Sequence, residues 1–543
     1  MSTDHPLRVL LVEDQPEVYA TLRRRLGAEG YSVTLATTYD DARQALDAEH
    51  IHLAIVDIRL DVADEKNQDG LRLLEDVAAL NLRDAMPCIV LTAFGSLPLA
   101  LRTLQDLGAA RFIPKQPGYI ARLLSTIREL QGTHVRIGFD IQYTGNSLPR
   151  VEQCARDMHE AEPELPGPEL LVAQIRDVLG KLFFGAEQLW IRQTLKGFSG
   201  SAVLHVKPTW PNGLGQPLIV KIGPREKVAV EKKSHTEYVE HFLPAHHATR
   251  LDDRYTRHLG ALLYTLANTE AEDTQEFQVF YQRKSAADIV AALRHLLRDV
   301  CRPWYQGHTP PQIENLRDVY LEAFDLKRQP DRLRAEVAAL RPGVNAADQT
   351  LIFDPPGLAL PNPLRWLEDD EASLLPVCRC ITHGDLNADN ILVDDAGQCW
   401  LIDFYRTRES HILRDFVVLE TDVKFRLAAS LSLQEFCQVE LALVALEQPR
   451  PDFRINAGAP DEAQKAAAVI AGLRAEAWDL LERAGDPDLQ HIQREYLVSL
   501  LMATLNVLRL RRFKDTEALR PQRERALLSA ALICRQLQTL GSA

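Results

Sequence analysis

The chain has 543 residues, too many for one ordinary core, and at the usual domain scale it divides into about three domains. It is 46% hydrophobic and 25% charged with a net charge of −14, which argues against nucleic-acid or anionic-membrane binding as its main activity. Eight cysteines are scattered, and the closest pair, Cys378 and Cys380, lacks metal-ligand spacing, so reduced packing thiols are expected. The N-terminal MSTDHPLRVLL has no basic-then-apolar leader, and no apolar run reaches the roughly 18 residues of a membrane span. The expectation is a cytoplasmic protein with neither nucleic acid nor membrane as a partner.

From Leu7 to about Leu130, the apolar runs RVLLVED, YSVTLAT, LAIVDI, PCIVLTA and ARFIPK alternate with amphipathic stretches at Glu17–Gly27, Tyr39–Glu49 and Gly70–Leu80. This alternation predicts a parallel sheet covered on both faces, with functional groups beyond the C-terminal strand ends. Glu13 and Asp14 follow the first run, Asp57 the third, Thr92 the fourth and Lys115 the fifth. Three carboxylates on one edge repel one another unless a divalent cation neutralises them. In order and spacing these residues resemble bacterial response-regulator receiver domains. The resemblance implies a flavodoxin-like five-stranded fold over residues 1–130 and a phosphoryl acceptor at Asp57. Glu13, Asp14 and Asp57 would hold magnesium, Thr92 and Lys115 would contact the phosphoryl group, and Phe112 would be the aromatic switch. A sensor histidine kinase or other phosphodonor is implied as a partner, and a homodimer through the receiver is a further expectation. Two departures stand out. The loop RLDVADEKNQDG is long, so that Asp61, Asp64 and Glu65 are expected to crowd the site, and Gln116 separates Lys115 from Pro117.

Residues 131–169 read as a structured linker, with a strand-like run VRIGFDIQYTG and a helical piece around Val151–Glu160 before the ELPGPEL boundary. Next, LWIRQTLKGFSGSAVLHVKP alternates as a hairpin whose turn carries Gly197, Ser199 and Gly200. Glycines there let backbone N–H groups approach phosphates, although Gly-Ser turns are common in any case. PLIVKIG places Lys221 in a short strand, as an edge gatekeeper or as a phosphate ligand. In the helix that follows, Glu237 is the preferred partner for Lys221, with Glu231 and Glu240 as alternatives.

The stretch ITHGDLNADNILVDDAGQCWLIDF offers His383, Asp385 and Asn390, then a hairpin that delivers Asp403. Phosphoryl transfer needs an orienting carboxylate, magnesium ligands and positive charge on the phosphates. Asp385 would orient the accepting hydroxyl, and Asn390 with Asp403 would hold Mg2+ through oxygen. Asp389 and Asp394 read as turn residues. Taken with the glycine turn and Lys221, this stretch resembles kinase-like phosphotransferases of the aminoglycoside and choline kinase type. HGD stands where protein kinases have HRD, DFY stands in place of DFG, and no APE follows. The resemblance implies ATP as a cofactor, structural roles for His383 and Asp415, and a bilobal α+β fold. Residues 170–284 would form the N-lobe, with an adenine hinge near Phe280–Lys284 after a strand EFQVFYQ. Residues 285–543 would form a helical C-lobe, including helices at Leu433–Leu446, Asp461–Gly485, Leu489–Phe513 and Gln522–Leu540. The expected function is a receiver-regulated ATP-dependent phosphotransferase whose acceptor is not legible. The acidic run Glu368–Glu371 could serve a cationic acceptor, and the basic group Arg509, Arg511, Arg512 and Lys514 an anion; each also reads as solvated surface. A nucleotide-binding pseudokinase scaffold in a stress or defence signalling assembly, controlled by the receiver, is the alternative.

Overall fold

The computed structural model describes the chain apart from residues 1–6, 62, 63, 65, 81, 84, 94, 95, 197–199, 244–246, 267–273, 327–329, 345, 346, 355, 356, 367–373, 457, 486, 487, 511–519, 542 and 543. It forms two compact units, Met1–Val230 with Arg250–Thr265, and Glu231–Thr249 with Leu266–Ala543.

The first unit opens with strands β1 (Arg8–Val12), β2 (Ser32–Ala36), β3 (Leu53–Val56), β4 (Cys88–Thr92) and β5 (Arg111–Pro114). Between and after them lie helices α1 (Pro16–Ala28), α2 (Tyr39–Ala48), α3 (Asp69–Ala79), α4 (Leu97–Leu101) and α5 (Tyr119–Leu130). The strands pair in parallel in the order β2-β1-β3-β4-β5. Successive residues feed opposite cores. Leu10, Val12, Ala54 and Val56 point to one, and Val9, Leu11, Leu53 and Ile55 to the other. Burial on both faces is why these strands read as unbroken apolar runs.

The same unit holds a second, seven-stranded sheet. Its order is β11 (Ala248–Tyr255), β12 (Leu259–Leu266), β10 (Leu218–Pro224), β8 (Ala202–Trp210), β7 (Gln188–Lys196), β6 (Gln142–Thr144), with β9 (Gly213–Leu214) paired to β8. The linker expectation needs correction here. Within residues 131–169 only Gln142–Thr144 is strand, and it adds a parallel edge beside β7. Helices α6 (Ser147–Ala161) and α7 (Pro168–Leu182) cover one face of the sheet. Val151 and Cys154 of α6 and Leu171, Ile175 and Val178 of α7 share a core with Leu189, Leu204 and Val220. The segment therefore belongs to the sheet's hydrophobic interior and is not a connector. Where α7 passes the chain leaving the first sheet, Gly138 N–H donates to the Gly180 carbonyl at 3.0 Å. A Cβ on Gly180 would stand 3.0 Å from Ile137 Cγ2, so the approach favours glycine.

The second unit is mostly helical. Helix Ala286–Arg294 packs on Asp461–Arg483, Arg414–Asp422 on Leu489–Val507, and Leu433–Val444 on Arg520–Gly541. Short two- and three-stranded pieces interrupt the helices. Capping boxes at Ser285/Asp288 and Ser432/Glu435 start two of them. The four late helices were legible, although Leu489–Val507 ends before Phe513, which lies outside the described residues. The strand EFQVFYQ is a correction. Only Gln275–Glu276 is extended, paired with Leu392–Val393, and Phe277–Arg283 is helix. Phe277, Phe280 and Tyr281 stand at i, i+3 and i+4 and are all buried, a helical face that aromatic content disguises as a strand. No described helix is long and apolar enough to cross a membrane.

Candidate functional site

At the C-terminal edge of the first sheet, backbone order brings Glu13, Asp14 and Asp57 together, with their ligand atoms within 4.8 Å of one another. Lys115 reaches in from the end of β5, its Nζ 2.7 Å from Glu13 and 2.5 Å from Asp57. Burial pushes the Glu13 carboxyl up to about 6 even though the Lys115 ammonium works the other way. Burial acts to lower the pKa of Lys115, but the charges of Asp57 and Glu13 outweigh it and hold the pKa above its usual value. Asp14 Oδ1 and Asp57 Oδ1 are buried without a protein hydrogen-bond partner. Oxygen atoms of that kind, beside a third carboxylate, fit a hard divalent cation. Thr92 is fully buried at the end of β4, and Phe112 is half-buried against the core. The expected crowding by acids is not seen. Asp61 and Asp64 are exposed, Asp64 accepts from the Lys66 amide within its own loop, and Glu65 lies outside the described residues.

In the second unit, the loop from His383 to Asn390 hangs between strand Arg379–Thr382 and strand Ile391–Val393. Asp415, fully buried at the start of helix Arg414–Asp422, accepts the amides of His383 and Gly384, both at 2.8 Å, and the Tyr305 hydroxyl at 3.1 Å. Gly384 has φ +80°, and a Cβ there would meet the Arg406 carbonyl at 2.3 Å, so only glycine fits. The buried His383 ring contacts the Ile402 carbonyl through Nε2 at 3.0 Å, tying the loop to the residue before Asp403. Asn390 donates its side-chain amide nitrogen to the Asp385 carbonyl at 2.7 Å. Asp403 has φ +67°, an uncommon conformation for a residue with a side chain and one that clusters at functional sites. Asp385 and Asp403 are both half-buried. Asp394 accepts from the Ala396 and Gln398 amides within its turn, and Asp389 pairs with Arg426.

Lys221 sits in β10 between Val203 and Leu262, 4% exposed. Gly200 has φ +75°, and a Cβ would lie 2.5 Å from Glu162 Cγ, so the turn requires glycine there. Gly197 and Ser199 lie outside the described residues, as do Glu368–Glu371, Arg511, Arg512 and Lys514. Glu237 is corrected: its side chain is 44% exposed and pairs with Lys233, which removes it as the partner of a buried lysine. Glu240 faces His235, and Glu231 is the buried member of the three.

Sequence reasoning missed a buried cluster in the first unit, where His50 and His52 precede β3 and converge on Asp177 of α7. It borders a cavity of about 230 Å³ lined by Arg8, Tyr143 and Arg176 among others. Metal binding does not fit. The Arg8 amide donates to His52 Nδ1 at 2.9 Å, so Nε2 carries the ring proton and donates to Asp177. The cluster holds the first sheet to α7 by hydrogen bonds. Burial lowers the pKa of His50, and burial lowers that of His258 to about 4. His258 accepts from Gln174 of α7 at 2.9 Å through Nδ1. A histidine whose folded pKa is depressed contributes in full above the unfolded value near 6.5, and its contribution is lost as pH falls from there toward 4. The first unit should therefore lose stability between pH 6.5 and 4. For His258 the loss by pH 5 is about 1 kcal/mol once partial exposure is allowed for. His258→Gln keeps an acceptor for Gln174 without the titration. Its thermal unfolding at pH 7.5 and pH 5 should differ by less than that of the wild type, and equal differences would count against the assignment.

Comparison with known proteins supplies names for both parts. Residues 9–128 match the response regulator receiver domain. Transcriptional regulatory protein GlrR of Escherichia coli (strain K12) is 36% identical over 110 residues, 20% of this chain and 23% of that protein. Transcriptional regulatory protein GltR of Pseudomonas aeruginosa is 31% identical over 192 residues, 34% of this chain and 74% of that protein. A solved CheY-like receiver domain protein from Methanospirillum hungatei JF-1 is 30% identical, covering 24% of this chain and 97% of its own, with a TM-score of 0.21. This chain thus spans less than a quarter of the length of GlrR. Residues 186–336 and 324–509, together more than half of the chain, match the model for ternary complex associated domain 9. The protein belongs to the ternary complex associated domain 9 family and carries a response regulator receiver domain ahead of that region.

Proposed function

We propose that this protein is a signalling phosphotransferase whose ATP- and magnesium-dependent activity is set by phosphorylation of its receiver. The observation that carries the reading is the loop braced by Asp415. It presents Asp385 and Asn390 from one buried scaffold, with Asp403 in left-handed backbone at the end of the adjoining hairpin. Asp385 would accept the hydrogen bond of the attacking hydroxyl. Asn390 and Asp403 would offer oxygen atoms to magnesium, which neutralises phosphate charge when bound. At the receiver, an Asp57 oxygen takes a phosphoryl group from a sensor histidine kinase or another phosphodonor. Lys115 then exchanges one carboxylate partner for the phosphoryl oxygens.

The test is transfer of γ-labelled phosphate from ATP by the full chain, with and without magnesium, against a panel of small-molecule and protein hydroxyls. Asp385→Ala and Asp403→Ala should each lower turnover by about 100-fold or more. Asp57→Ala should leave the transfer machinery intact and remove its response to a phosphodonor. Wild-type turnover that survives both loop variants would sink the reading. The family's name speaks of assembly in a ternary complex, which favours a second reading as a nucleotide-binding scaffold. That reading predicts magnesium-dependent ATP binding without transfer.

A further inference from the structure

The helix that carries Asp415 does not end its work at its first turn. Asp422 lies seven residues on, two turns along the same face. Its Oδ2 accepts the amide of Ala388 at 2.8 Å, in the second half of the loop. Asp422 is 1% exposed, a position where an ionised carboxylate needs a partner. Arg426 supplies it as a two-pronged clamp, Nε to Oδ1 at 2.8 Å and Nη2 to Oδ2 at 2.7 Å. The remaining prong, Nη1, reaches Asp389 at 2.5 Å. Asn387 closes the circuit, its side chain donating to the Asp385 carbonyl at 3.1 Å and accepting the Asp389 amide at 3.0 Å.

We infer that Asp422 and Arg426 are positioning residues that pin Ala388 and Asp389, and through them fix Asn390, the metal-side amide of the loop. The inference rests on the phosphotransferase reading. One helix thus holds the loop at two points: Asp415 fixes the end bearing His383 and Gly384, and Asp422 the end bearing Asn390. Arg426 has a second consequence. It occupies the carboxylate of Asp389, the anion next to Asn390 in sequence, and so keeps that anion from competing for a divalent cation.

Hydrogen exchange on the full chain, read peptide by peptide, tests the anchoring. In Arg426→Gln and Asp422→Asn the amides of Ala388–Asn390 should exchange about tenfold faster or more, while those of His383 and Gly384 stay protected by Asp415. Arg426→Lys, which keeps a cation but not the fork, should fall between. In the transfer assay, kcat should drop about tenfold in Arg426→Gln with KM for ATP nearly unchanged, and the magnesium concentration for half-maximal rate should rise. Adding Asp389→Asn to Arg426→Gln should bring that magnesium requirement back toward wild type. Unchanged exchange at Ala388–Asn390, or equal loosening at both ends of the loop, overturns the anchoring. If the wild-type chain transfers no phosphate while the local loosening still appears, the phosphotransferase reading falls and the anchoring stands.

Discussion

Replacing Asp415 by alanine should lower the stability of the helical unit by about 3–5 kcal/mol and, on the phosphotransferase proposal, abolish ATP turnover. The carboxylate satisfies two backbone amides and the Tyr305 hydroxyl in a site closed to water. Each buried donor left without an acceptor costs about 1–3 kcal/mol, and collapse cannot replace the lost oxygens because Gly384 is already pressed against the Arg406 carbonyl. Asp415→Asn keeps the shape and one acceptor oxygen, so its loss should be smaller. With two compact units the chain need not unfold in one step, so the helical unit's own transition is the one to follow in denaturant. An alanine variant within 1 kcal/mol of wild type, roughly the size of a single ordinary hydrogen bond, would remove the brace from the account.

A second large loss is expected at Glu420, near the C-terminal end of the same helix. Its oxygens meet Arg474 Nη2 at 2.7 Å and Nε at 2.9 Å, Lys424 Nζ at 2.6 Å and the Tyr496 hydroxyl at 2.5 Å. All four residues are buried. Burial alone would raise the Glu420 pKa, but the charges of Arg474 and Lys424 outweigh it and bring the value down to about 2. Glu420→Ala leaves a guanidinium inside the unit with Lys424 as its cationic neighbour, a change worth about 3–5 kcal/mol. The acid dependence follows in sign. A carboxylate with a depressed folded pKa contributes in full above its unfolded value near 4.3, and the contribution is lost as pH falls toward 2. Urea titrations of wild type and Glu420→Ala should therefore converge as pH drops from 5 to 2. A constant gap across that range would contradict the pairing.

The first sheet was almost wholly legible, because burial on both faces makes each strand a continuous apolar run and strand order places Glu13, Asp57, Thr92 and Lys115 at one edge. The loop around Asp385 stood out for a different reason: His383, Asp385 and Asn390 stand at the spacing H-x-D-x-x-x-x-N, and the structure sets them on one loop between two strands. What escaped was set by tertiary contact. Gln142–Thr144 lies within a run that read as strand-like, but its pairing with β7, which makes it the edge of the second sheet, has no local signal. Phe277, Phe280 and Tyr281 have strand-forming side chains and still make a helix, because that face is buried. Glu237 was the best placed glutamate on paper, but the rotation of its helix turns it toward Lys233 and solvent. Asp422 and Arg426 carried an available signal, an acid two turns after Asp415 followed by a base at i+4, that has meaning only once the helix is known to be buried.

The edge strand β6 and helices α6 and α7 bear on how this protein could be inherited or rebuilt. The matched family region begins at residue 186, after all three of them, and the receiver match stops at residue 128. A gene fragment cut at residue 186 would encode a sheet stripped of Val151, Leu171 and Ile175, with β7 as a raw edge inviting other chains to pair. A substituted receiver would have to offer Asp177 hydrogen-bond donors where His50 and His52 now stand. The compact unit thus takes in β6, α6 and α7, which lie outside both matches.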